Sequence, residues 1–119
     1  MVVENLNVYK RLSKLVITVL NITITFPKYE MYELGSQLRR SSNSIPANIA
    51  EGFGNKHTNI YTESISRAQG ELRETIHHLR IAFRKGYVKK SKLIELVNEY
   101  TECSRMLYCL EKSLILKIK

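Results

Sequence analysis

Residues 39–54 read "RRSSNSIPANIAEGFG". This stretch holds a proline, a run of four small polar residues at Ser41–Ser44 and two glycines, yet Ile45, Ile49 and Phe53 keep helical spacing. It is either a loop between helices or an unusually slim helix. With Leu38 at the centre of a helical wheel, Leu34, Ser42, Ile45, Ile49 and Gly52 fall beside it, so one apolar face runs straight through Pro46. Pro46 removes the amide that would bond to the Ser42 carbonyl, and its ring presses on that turn. The cost is about 3 kcal/mol. One bent helix over about residues 30–53 is the expectation. The alternative is a break with a restart at Ser44 as N-cap, which would put Pro46 near a new helix start. The opposite face carries Arg40, Ser44, Ala47 and Glu51. Slim residues on both faces allow a second backbone to approach on each side.

Three further helices follow from the spacing of apolar residues. Val8, Leu12, Leu15, Val19, Ile22 and Phe26 predict a helix over about 6–26. The β-branched run "VITVLNITITF" hints at a strand, but the seam persists for about five turns, whereas strands average about 5–6 residues. Pro27 ends it. Tyr61, Ile65, Ala68, Leu72, Ile76, Leu79 and Phe83 predict a helix over about 58–85, closed by Gly86. Glu63, Arg67 and Glu71 should form a ladder of attractive pairs on its outer face. Leu93, Leu96, Tyr100, Cys103, Leu107, Leu110 and Leu114 predict a fourth helix over about 91–117, with Ser91 as N-cap. Its 3-4 repeat suits shallow-angle packing. Short connections force antiparallel neighbours, so the fold class is all-α, a single up-down-up-down four-helix bundle.

At 119 residues the chain is one domain, able to bury about two thirds of its unfolded surface. Thr18, Asn21, Thr23 and Thr25 interrupt the longest greasy stretch, so no membrane partner is expected. The N-terminus lacks the marks of a secretory signal. Cys103 and Cys109 would sit about 9 Å apart along a helix, too far for a disulfide. They read as reduced core thiols of a cytoplasmic protein.

"SQLRRSSNSIPANIAEGFGN", residues 36–55, resembles the signature of the 23S rRNA intervening-sequence protein family, also called the four-helix-bundle protein family. The residues that carry the likeness are Gln37, Arg39 and Arg40, then Ser44, Pro46, Asn48, Glu51 and Gly52 within "SIPANIAEG". The resemblance implies a small bacterial bundle, often encoded within insertions in ribosomal RNA genes, whose biochemical role is largely unassigned. It also implies kinship with the accessory variability determinant of diversity-generating retroelements, a basic pentameric barrel that works with a reverse transcriptase and nucleic acid. A homo-oligomer, with a pentamer favoured, and a protein partner such as a polymerase are therefore expectations of the resemblance.

Nineteen cations against eleven anions leave a net charge of +8. The excess is uneven: Thr75–Ile94 contains no acidic residue but holds Arg80, Arg84, Lys85, Lys89, Lys90 and Lys92. Arg84 and Lys85 suit a helix C-terminus, where cations favour the dipole. Lys89, Lys90 and Lys92 crowd a helix start, where they do not. A patch that works against local stability points to an anionic partner, nucleic acid before an acidic protein. A solvated face is the bland alternative. Apolar positions beyond the seams, Ile94, Val97, Met106, Ile115 and Ile118, add to the expectation of self-association. Arg39 and Arg40 read as structural before ligand-binding.

No catalytic, metal or cofactor site is expected. The chain has no Asp, and His77 and His78 point about 100° apart on a helix, which makes sharing one ion difficult. Arg73 and His78 have the Arg-x4-His spacing of small helical ribonucleases, but Glu74 stands where those proteins carry a small polar residue or His. The chain thus reads as a non-enzymatic nucleic-acid-binding oligomer. The alternative is a scaffold for an acidic protein partner.

Overall fold

The computed structural model describes residues 1–118, and four helices account for most of them: α1 (Asn7–Ile24), α2 (Leu34–Gly52), α3 (Thr58–Arg84) and α4 (Lys90–Ile118). They pack into a rod of 50 × 24 × 21 Å. Every neighbouring pair is antiparallel, because contacts pair rising residue numbers on one helix with falling numbers on the next. Arg39 of α2 reaches Thr23 near the end of α1, while Asn43, Pro46 and Ala47 share a cleft with Ser13 and Val16. Across α2 and α3, Ser41 meets Thr75 and Asn48 meets Arg67. Gln69 of α3 exchanges two hydrogen bonds with Ser104 of α4, at 2.9 and 2.8 Å. Arg11 on α1 pairs with Glu99 on α4 at 3.0 Å and closes the bundle.

The quoted stretch is continuous helix. α2 runs through Pro46 without a break, and Ser44 is not a cap, since its hydroxyl donates to the Arg40 carbonyl at 2.8 Å. Its slimness serves the contact with α3. A Cβ at Gly52 would lie 2.0 Å from Ser64 Oγ and 2.4 Å from Ser64 Cβ. About three turns away, Thr75 Oγ1 donates to Ser41 Oγ at 2.9 Å inside the core. Small residues thus draw α2 and α3 together on one side. On the other, Asn43, Ala47 and Ala50 are exposed.

The predicted seams form the core. Val8, Leu12, Leu15, Val19, Leu38, Ile45, Ile49, Ile65, Leu72, Leu79, Leu96, Cys103 and Leu107 are all buried. α3 is buried over a wider face than its seam suggested: Ser64, Thr75 and Ala82 are inside, whereas Ile76 and Phe83 are half-buried. The reason is position, because α3 packs against both α2 and α4. The Tyr100 hydroxyl is buried with no hydrogen-bond partner among the described residues.

Several expectations need correction. α2 begins at Leu34 rather than near residue 30, and Lys28–Glu30 form a separate 3-10 turn. α4 begins at Lys90, with the Leu93 amide bonded to the Lys89 carbonyl at 3.0 Å, so Lys89 and not Ser91 takes the N-cap position. The Glu63–Arg67–Glu71 ladder does not form. Arg67 turns to Asn48 Oδ1 at 3.2 Å and Glu71 turns to Arg40 at 3.3 Å, because cross-helix partners are nearer. Cys103 is a buried free thiol, but Cys109 is exposed and not a core residue.

Candidate nucleic-acid interface

The two loops at one end of the rod, residues 25–33 and 85–89, are held together by a buried carboxylate. Glu30 is only 3% exposed. Its Oε2 accepts from Lys85 Nζ at 2.8 Å and from the Tyr87 hydroxyl at 2.9 Å. The hydrogen bond from Lys85, followed by that from Tyr87, holds the Glu30 carboxyl below its ordinary range. Gly86 makes the turn possible. At φ +82° it lets its own amide bond to the Phe83 carbonyl and the Tyr87 amide bond to the Ala82 carbonyl, each at 2.9 Å, the double closure of a Schellman motif. The Tyr87 ring then packs on Phe26, with centroids 5.2 Å apart.

Six cations were read from the sequence as a nucleic-acid surface, and the structure divides them. Lys85 is committed to Glu30, and Lys92 pairs with Glu95 at 3.4 Å within its own helix. Arg80, Arg84, Lys89 and Lys90 are exposed and have no ion-pair partner among the described residues. Lys89 and Lys90 occupy the N-cap and first position of α4, where the helix dipole disfavours positive charge. The other loop adds exposed Lys28, Tyr29 and Tyr32 to the same end. The sequence reading missed these three, together with Glu30. Spacing offered no signal, since only the fold brings residues 28–32 beside residues 85–89.

The polar signature residues of α2 lie away from that end or serve structure. Arg39 donates to the Met31 carbonyl at 2.7 Å and to Thr23 Oγ1 at 3.2 Å, tying the first loop to α1 and α2. Arg40 bridges to Glu71 and Glu74 on α3, and Glu74 also meets His78 Nε2 at 3.2 Å. Asn48 joins α2 to α3 through Arg67, and Gly52 admits Ser64. Pro46 is buried and Ser44 half-buried. Gln37 and Glu51 are exposed and make no side-chain hydrogen bond among the described residues. Arg40 therefore has carboxylate partners on a neighbouring helix, and its stripe-mate Glu51 is not one of them.

Other chemistry is not assembled. Arg73 lines a cleft between α3 and α4, whereas His78 faces Glu74 and Arg40 toward α2, so the pair does not converge. Among the described residues no group of three or more His, Cys, Asp or Glu could hold a metal ion. Among them, too, no helix is long and apolar enough to cross a membrane.

A solved structure from Bacteroides thetaiotaomicron, described as a protein with unknown function from the S23 ribosomal protein family, superposes with a TM-score of 0.81 at 22% identity. The match covers 88% of this chain and 95% of that one, and at this identity it speaks for the fold alone. No curated protein matches. The family model described as 23S rRNA-intervening sequence protein matches residues 4–109. A match over that span, on an all-helical bundle whose second helix carries the signature residues of the α2–α3 contact, places the chain in the 23S rRNA-intervening sequence protein family.

Proposed function

We propose that the protein is a non-enzymatic, basic homo-oligomer that contacts nucleic acid through Arg80, Arg84, Lys89 and Lys90, acting in the cytoplasm as an accessory factor, with a polymerase as its protein partner. The observation that carries this reading is the start of α4. Two lysines stand there against the helix dipole with no carboxylate among the described residues to hold them, so local stability does not account for them. The kinship with the accessory variability determinant belongs to the same proposal.

Self-association is supported by apolar side chains left outside the core: Ile17, Leu20 and Ile24 along α1, and Ile94, Ile115 and Leu116 on α4. Val97 and Met106, also expected to be free for assembly, are half-buried in the bundle, and the side chain of Ile118 lies outside the described residues. In a ring of like-oriented subunits, the pentamer being favoured, the basic ends share one rim and a modest patch becomes a belt of charge.

The test is salt dependence. Each neutralised phosphate contributes about 0.9 to the slope of log affinity against log salt on duplex DNA and about 0.7 on single strands. The Arg84→Gln, Lys89→Gln, Lys90→Gln triple variant should lose affinity for all sequences and bind with a flatter slope. Its stability should be nearly unchanged, because relief at the start of α4 offsets the loss of Arg84 at the end of α3. Parent-like binding by the triple variant overturns the reading, as does binding confined to acidic proteins.

A further inference from the structure

We infer that the basic end takes unpaired nucleic acid rather than duplex, with the Tyr29 ring as the platform on which a base stacks; this deepens the nucleic-acid reading above and rests on it. Tyr29 is 72% exposed and Tyr32, in the same loop, 83%. Exposure alone makes a poor platform, because a freely rotating ring loses entropy on binding. Tyr29 is not free. The proton of the Tyr87 hydroxyl is committed to Glu30 Oε2, so the hydroxyl contact between Tyr29 and Tyr87, at 3.0 Å, has Tyr29 donating. The ring is thereby pinned at its outer edge to the buried Glu30 network and keeps its face to solvent. Lys28 precedes it in the chain, and Lys89 lies two residues beyond Tyr87, so both loops that meet at the ring carry an exposed cation.

Tyr87, which holds the Tyr29 hydroxyl, also lines a cleft of about 570 Å³ between the end of α1 and the start of α4. Asn21, Thr25 and Ser91 supply neutral donors and acceptors, Lys89 and Lys92 positive charge, and Glu95 a carboxylate. Such mixed lining suits the hydrogen-bonding edge of a base better than phosphate, which a carboxylate would repel. Duplex presents phosphates and buries its base faces. Unpaired strands offer π-faces, base edges and phosphates together, matching a ring, a mixed cleft and cations.

The experiment titrates the whole chain into a labelled 15-nucleotide single-stranded RNA and, separately, into the same strand annealed to its complement, over one matched series of salt concentrations. The single strand should bind about tenfold more tightly than the duplex, since stacking on one ring is the added contact. Tyr29→Leu should lose about tenfold on the single strand and nothing on the duplex, with the salt slope unchanged because no charge is removed. Tyr29→Trp should retain binding, and its tryptophan, in a chain that otherwise has none, should be quenched by the single strand but not by the duplex. Equal affinity for both probes with Tyr29→Leu silent, while the charge variant weakens both, overturns the stacking platform and leaves the nucleic-acid reading standing. Failure of the parent to bind either probe at low salt overturns both.

Discussion

Gly52→Ala tests whether α2 is slim in order to admit α3. The new Cβ would lie 2.0 Å from Ser64 Oγ and 2.4 Å from Ser64 Cβ. A hydroxyl can rotate away, but the Ser64 Cβ is fixed to the α3 backbone. Carbon atoms pack at about 3.5–4.0 Å, so the helices must part locally by roughly 1 Å. Overpacking of this kind costs about 1–3 kcal/mol. The helix preference of Ala over Gly returns up to about 1 kcal/mol, less at the last residue of a helix. A net loss of about 1–2 kcal/mol remains, or roughly 4–8 °C in melting temperature for a domain of this size. Ser64→Gly removes both clashing atoms, and the next contact, Tyr61 Cα at 3.5 Å, is ordinary packing. In a four-protein cycle followed by circular dichroism in heat and urea, the double variant should be no less stable than Ser64→Gly alone. The coupling should be about 1–2 kcal/mol. A Gly52→Ala protein that melts with the parent, or a strictly additive cycle, would show that the α2–α3 approach does not depend on these two residues.

Glu30→Gln should lower the melting temperature at neutral pH. Because the folded-state carboxyl titrates below its ordinary value of 4.5, its stabilisation is present above that range and fades as pH falls through it. The gap between variant and parent should therefore narrow as the pH falls below 4.5, and a gap independent of pH would show that the charge does not hold the two loops. Tyr100→Phe removes a buried hydroxyl without a partner and keeps the ring, so stability should rise by about 1 kcal/mol in urea unfolding. A loss there would reveal a partner for that hydroxyl. Pro46→Ala restores an amide and relieves a ring clash, up to about 3 kcal/mol in a helix interior. Deleting buried ring methylenes removes about 0.8 kcal/mol each. Helicity should be unchanged and stability higher by about 1 kcal/mol, and a fall would mean that ring packing outweighs the helical defect.

The candidate interface illustrates where sequence reading stops. Arg80, Arg84, Lys89 and Lys90 were visible as a run without acidic residues, but Lys85 and Lys92 in the same run are occupied by Glu30 and Glu95. Glu95 was within sight, three residues from Lys92. Glu30 lies 55 residues from Lys85, and was read as the first turn of a helix rather than as a buried acceptor. Tyr29 and Tyr32 carried no periodicity to mark them, and the chain folds them beside the cations only by docking one loop on the other.

By itself the sequence determined the four helices, their antiparallel order and the greater part of the core, because apolar spacing at 3.6 residues per turn and loop length are local properties of the chain. It determined the continuity of α2 through Pro46 for the same reason: one uninterrupted apolar face outweighs one lost hydrogen bond. Tertiary structure alone decided which charges are free. An ion pair forms with whichever opposite charge is nearest in space, so Arg40 found Glu71 and Glu74, and Lys85, though exposed, was tied to a carboxylate in the other loop; Arg67 likewise left its own helix, to donate to the Asn48 amide oxygen.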